Sequence, residues 1–241
     1  MSLREFWIAL QFLTRLPTPR ISDPQEDDLA RAAMWFPAAG LAIGLCLALA
    51  LFLFRGNDPW VSAFVVLVVW IWITGALHLD GLGDVADAFG ASHGAPDRFV
   101  QVLGDPYVGS FAVVAIALQI AAKLVLLAHL PPSIAVCALI LIPAWARWGT
   151  LVWSKTLLSL KPGLGASVAN SVDWPVILGW GAALAIVAVF GAVPTLLALI
   201  VVPVVVLYWQ SRLGGITGDC LGASIEVTET LLLFACVWLA R

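Results

Sequence analysis

Charge is what this sequence has least of. Only 11% of its 241 residues are Asp, Glu, Lys or Arg, against 62% apolar, where a soluble domain carries about 25% charged and 45–50% apolar residues. That shortage excludes a water-soluble globule. The charges present show no basic excess, with 12 Lys and Arg against 15 Asp and Glu and a net charge of −3, so nothing points to nucleic acid as a partner. Cysteine is scarce as well. Cys46, Cys137 and Cys236 sit inside apolar runs, Cys220 sits in a polar stretch, and the absence of any CxxC spacing removes a redox or metal pair of thiols. Internal repeats and low-complexity tracts are missing too.

What the chain has in quantity is long apolar runs. Each is long enough to cross about 30 Å of hydrocarbon, and together they predict an all-α, polytopic helical membrane protein, one integral membrane domain over residues 1–241. About seven spans are expected, near 33–54, 60–79, 108–129, 133–150, 174–192, 194–210 and 228–240, the last of them short. Before them, Leu3, Phe6, Trp7, Leu10, Leu13 and Leu16 share one helical face, the pattern of a helix lying in the membrane interface. Arg15 and Pro17 stand where a signal-peptide cleavage site would need small residues, so this segment is expected to be retained. The 12 tryptophans fall mostly near predicted span ends, as interfacial anchors do.

Cytoplasmic loops carry the excess of positive charge. An N-terminus on that side puts Arg4, Arg15, Arg20, Arg31, Arg98, Arg147, Lys155, Lys161 and Arg212 inside and only Arg55 and Arg241 outside. The polar stretches 80–107, 148–173 and 211–227 then share one face, which can hold one site. The first of them opens with His78-Leu-Asp80-Gly-Leu-Gly-Asp84-Val-Ala-Asp87. The i, i+4, i+7 spacing puts three carboxylates on one side of a helix, where they can share a divalent cation or simply face water. In the last stretch, Asp219, Glu226 and Glu229 share a helical face if the helix starts at Asp219, and Gly222 and Ala223 allow close approach of a ligand or of another helix. Asp105, in the turn Gly104-Asp105-Pro106-Tyr107, suits a helix cap or a further metal carboxylate. Arg147, Lys155 and Lys161 suit the phosphates of an anionic substrate, or plain anchoring at the cytoplasmic surface. Lys123, deep in a predicted span, must snorkel or pair with a carboxylate.

The two acidic motifs together, His78-Leu-Asp80-Gly-x-x-Asp84-x-x-Asp87 and Thr217-Gly-Asp219-x-x-Gly-Ala with Glu226-x-x-Glu229, resemble those of cobalamin synthase, the adenosylcobinamide-GDP ribazoletransferase family. The likeness runs from Ala9-Leu-Gln-Phe-Leu-Thr-Arg-Leu-Pro17 through Asp105-Pro-x-x-Gly109 and Gly163-Leu-Gly165-Ala to Glu229. It implies a multispan bacterial inner-membrane enzyme, its site facing the cytoplasm, that uses Mg²⁺ in the last assembly stage of cobalamin. Adenosylcobinamide-GDP is joined to α-ribazole, or to its 5′-phosphate, and GMP is released. Carried onto this chain, the resemblance makes Asp80, Asp84, Asp87 and Asp219 the expected metal ligands, with Glu226 beside them in catalysis across a cytoplasmic cleft. His78, Asp105, Arg147, Lys155, Lys161, Thr217 and Glu229 are expected to meet the substrates. The implied partners are those two substrates and the lipid bilayer, with a homo-oligomer or other cobalamin-assembly enzymes left open. Two alternatives remain at this level. A CDP-alcohol phosphotransferase of lipid synthesis has a similar Asp-Gly motif but keeps its acidic residues close together in sequence. A cation-coupled transporter would want repeats and charges at mid-membrane.

Overall fold

The computed structural model describes residues 2–19, 21, 28–92, 96–103, 107–161, 168 and 171–240, with backbone alone at 96 and 97. Helix α1 (Leu3–Leu13) opens on a reciprocal cap: Ser2 Oγ accepts from Glu5 N, and Glu5 Oε2 accepts from Ser2 N at 2.9 Å. Its Ala9, Leu10 and Leu13 are buried in the protein. At its end Arg15 N donates to Ile73 O at 2.7 Å, tying the helix to the end of a membrane span.

The first span runs over Asp28–Phe54, as α2 (Asp28–Ala32), a 3₁₀ turn (Ala33–Trp35) and α3 (Phe36–Phe54). There follow α4 (Pro59–Thr74), α5 (Leu77–Ser92), α6 (Pro96–Val102), α7 (Ser110–Ala128), α8 (Ala135–Thr156) and α9 (Trp174–Gly191). A 3₁₀ turn (Val193–Leu197) leads into α10 (Ala198–Leu213), and α11 (Gly218–Leu239) completes the set. Among the described residues there is no strand, and the one β-type contact is an isolated bridge, Ser159 to Ile216. Six helical segments are long and apolar enough to cross a membrane, and α4 with α5 forms a seventh only as a pair bent by 85°. The protein is a polytopic helical membrane protein.

Three expected boundaries move. The second span stops at Thr74 instead of 79, because Gly75 (φ 63°) and Ala76 (φ 59°) turn the chain through two left-handed residues. Ala76 has a Cβ, so this costs about 1–2 kcal/mol. Residues 80–107 are therefore largely the helices α5 and α6 and not a loop. The final helix starts at Gly218, well before the expected 228, and is 22 residues long.

Small residues set the tightest packing. A Cβ on Gly40 or Gly44 would fall 2.5 Å from backbone atoms of Pro143 or Ile140, so α3 and α8 touch main chain to main chain. The tryptophans divide: Trp60, Trp72, Trp174 and Trp238 are exposed near helix ends, whereas Trp70, Trp145, Trp148, Trp153 and Trp209 are buried inside the bundle. Several are satisfied there, Trp148 Nε1 donating to Ile177 O at 2.8 Å and Trp153 Nε1 to Val202 O at 3.0 Å. A buried indole tolerates an apolar core when its N–H finds a carbonyl.

Candidate active site

The sharp turn at Gly75 and Ala76 sends α5 across the start of α11. The helices cross where glycine faces backbone: a Cβ on Gly81 would lie 2.9 Å from Asp219 O, and one on Gly222 would lie 3.4 Å from His78 Cα. This crossing puts Asp80 and Asp84 of α5 beside Asp219, the second residue of α11. Asp84 there lies among the charges of Asp80, Asp219 and Asp87, with Lys161 as the opposing charge. Lys161 also faces Asp219. It is brought there by the bridge between strands of loop, in which Ile216 N donates to Leu158 O at 2.8 Å and Leu160 N to Ile216 O at 3.0 Å.

Asp87 shares the face but does a different job. Its Oδ2 accepts from Gly109 N at 2.6 Å and its Oδ1 from Ala112 N at 2.9 Å, so it caps the first turn of α7 from another helix. Gly109, at the cap position of α7, has no side chain of its own to do this. Thr217 likewise caps α11, accepting from Cys220 N at 3.3 Å. Among the described residues no three His, Cys, Asp or Glu side chains converge as a ready-made metal cage. Asp105 lies outside the described residues, and Lys155 occupies the last turn of α8.

Glu226 and Glu229 do not join the aspartates, which corrects the expected arrangement. They follow Asp219 on α11 by 7 and 10 residues, roughly 10 and 15 Å along the axis, and there they meet cations. Lys123 Nζ of α7 donates to Glu226 Oε2 at 2.7 Å and to Glu229 Oε2 at 2.5 Å. Arg147 Nη1 donates to Glu229 Oε1, and Arg147 Nη2 lies 3.2 Å from His78 Nδ1. Gln119 Nε2 adds bonds to Glu226 Oε2 and Thr230 Oγ1, both at 2.8 Å. Two cations face two anions, and Arg147 and Glu229 are both 0% exposed. Arg147 is thus no surface group: it sits nine residues before the end of α8, roughly 13 Å inside. A guanidinium always donates, so His78 Nδ1 accepts and the ring proton resides on Nε2.

Two hollows flank the aspartates. One, of about 210 Å³, is bordered by His78, Asp80 and Asp219, with Thr150 and Ser154 of α8 in its wall and Phe12 of α1 at its rim. The other, of about 330 Å³, is bordered by Asp84, Asp87 and Tyr107. Thr150 and Ser154 escape a motif search. Their one legible signal is spacing, since Arg147, Thr150 and Ser154 recur at i, i+3 and i+7 in an otherwise apolar span.

The model of a known family, cobalamin-5-phosphate synthase, matches residues 5–237. The chain belongs to the cobalamin-5-phosphate synthase family. Curated relatives of this cobalamin-5-phosphate synthase family member agree over nearly the whole length. A protein of Thiobacillus denitrificans named adenosylcobinamide-GDP ribazoletransferase is 49% identical over 99% of this chain and 97% of its own. Proteins of the same name from Novosphingobium aromaticivorans and Pseudomonas aeruginosa are 47% and 36% identical, each over 97% of this chain and at least 96% of their own. No solved structure matches. Membership in the cobalamin-5-phosphate synthase family leaves the lipid phosphotransferase and transporter alternatives without support.

Proposed function

We propose that the protein joins adenosylcobinamide-GDP to α-ribazole or its 5′-phosphate and releases GMP, at the last assembly stage of cobalamin. The observation that carries this reading is the glycine crossing of α5 and α11, beside which Asp80 and Asp219 border one cavity, Asp84 borders a second, and Lys161 opposes them. A ribose hydroxyl oxygen attacks the phosphorus that bears the cobinamide aminopropanol. The new O–P bond forms as the P–O bond to the GMP phosphate breaks, and the hydroxyl proton passes to a carboxylate. Asp80 and Asp219 border the cavity and are the candidates for that base. Lys161 offers positive charge to the phosphoryl oxygens and the departing GMP.

Mg²⁺ fits this donor set. Like-charged oxygens crowd Asp84 with Lys161 as the opposing charge, and Asp80, Asp84 and Asp219 would hold the ion. Water and substrate phosphate oxygens would complete the shell, as is usual for Mg²⁺. When bound, it supplies the charge neutralisation that phosphoryl transfer requires. The site faces the cytoplasm of a bacterial inner membrane, a reading supported by the distribution of Lys and Arg.

Purified protein tests the proposal: GMP release from adenosylcobinamide-GDP should require both α-ribazole and a divalent cation. Release without α-ribazole, or none with every component present, would overturn it.

A further inference from the structure

One polar atom beside the aspartates has no explanation in the fold. Ser154 is 2% exposed, and its Oγ has no hydrogen-bond partner among the described residues. Several helical hydroxyls nearby close onto their own backbone, Thr150 on Arg147 O at 2.6 Å, Thr156 on Val152 O at 2.7 Å and Ser224 on Cys220 O at 2.6 Å. Ser154 does not. It stands instead in the wall of the 210 Å³ cavity, among Phe36, Leu77, Leu221 and Ile225. A buried hydroxyl left bare in an apolar wall calls for a ligand or another reason of its own.

We propose that this cavity seats the heteroaromatic base of the acceptor nucleoside, with Ser154 Oγ–H donating to the unprotonated ring nitrogen of that base. The inference rests on the reaction proposed above. Three observations select this occupant. First, the wall is apolar, with Phe12 at its rim, so it suits a flat, weakly polar ring. A phosphate seated in the wall would meet no Lys or Arg there. Second, away from the carboxylates Asp80 and Asp219 the wall offers a donor in the bare Ser154 hydroxyl, with His78 Nε2–H beside it, the latter fixed by the Arg147 bond to Nδ1. Third, 210 Å³ is the space of about seven water molecules, room for a bicyclic ring but not for a corrin macrocycle. A base seated there places its sugar at the mouth, where Asp80 and Asp219 stand within reach of a ribose hydroxyl.

The test uses the full-length protein in detergent. Equilibrium dialysis with EDTA present measures α-ribazole and GMP binding separately, and steady-state kinetics gives a KM for each substrate. Ser154→Ala should weaken α-ribazole binding and raise its KM by about 3- to 10-fold, the worth of one neutral hydrogen bond. Ser154→Leu, which fills the cavity, should do so by more than about 10-fold by the same reasoning applied to excluded volume. GMP binding and the KM for adenosylcobinamide-GDP should stay within about twofold, since neither contact is lost. If Ser154→Leu does not fold, Phe12→Trp narrows the cavity from α1 and should show the same split. A change in GMP binding or in the KM for adenosylcobinamide-GDP instead would assign the cavity to guanine, and no change in any constant would make it a water-filled void. Either result overturns the proposal. Failure of the unaltered protein to release GMP would remove the functional reading, whereas dialysis reads the cavity without any turnover.

Discussion

At the residue scale, two aspartates three positions apart have separate duties. Asp84 lies among like charges with Lys161 opposite, while both oxygens of Asp87 accept from the first turn of α7. Asp84→Asn keeps size and removes charge, so turnover should fall by about two orders of magnitude or more, with a higher Mg²⁺ requirement. Asp87→Asn still offers one acceptor to α7 and should keep most activity and the same Mg²⁺ titration. Asp87→Ala should lose about 0.5–2 kcal/mol of stability, as removal of a helix cap does. A Mg²⁺ titration and a thermal melt separate the three. Arg147 is decided by its surroundings as well. Arg147→Ala leaves Glu229 buried with one cation fewer, a loss of about 3–5 kcal/mol visible as a lowered melting temperature. Arg147→Lys keeps a charge near Glu229 but surrenders the planar reach to His78, so it should melt lower than the parent as well as turn over more slowly.

At the element scale, hydropathy reads the number of spans well and their ends poorly. The apolar run from 60 to 79 looks continuous because Gly75 and Ala76 are themselves apolar, and no side-chain signal announces two left-handed residues at that point. The acidic face of α11 was legible too, since the offsets of Asp219, Glu226 and Glu229 fit one side of a helix. Their partners were not. A helical face fixes direction, whereas Lys123 and Arg147 come from segments 103 and 82 residues away in sequence. The site therefore depends on helix contact more than on local motif, and Gly81 is the sensitive point. In Gly81→Ala the new methyl would lie 2.9 Å from Asp219 O, forcing α5 away from α11. Activity should fall by about tenfold or more with a smaller effect on melting, because a displacement near 1 Å is costly to phosphoryl geometry. Full activity of this variant would show that the crossing does not hold the carboxylates in place.

At the scale of the whole molecule, one end of the bundle carries the start of α7, the crossing of α5 with α11, and the bridge that ties the end of α8 to the start of α11. The opposite end carries Asn57 and His129 in the turns after α3 and α7. With native cysteines blocked, Ser211→Cys should react only with a membrane-permeant thiol reagent in intact cells. Asn57→Cys should react with an impermeant one, and the reverse pattern would invert the orientation.

The paired charges of α7, α8 and α11 also bear on how the chain is made. Lys123 and Arg147 emerge from the ribosome before either glutamate, and a cation at the centre of a lone helix resists insertion by about 2.5–3.5 kcal/mol. Their anions arrive only with the final helix, at Glu226 and Glu229. Until then α7 and α8 each carry an unpaired cation, and their stable insertion is expected to await the last helix. The last helix is thus expected to complete the insertion of α7 and α8. A chain ending at Ile216 should insert incompletely and be degraded faster than the full protein in a pulse–chase experiment, and quality control would recognise it by two uncompensated positive charges in hydrocarbon.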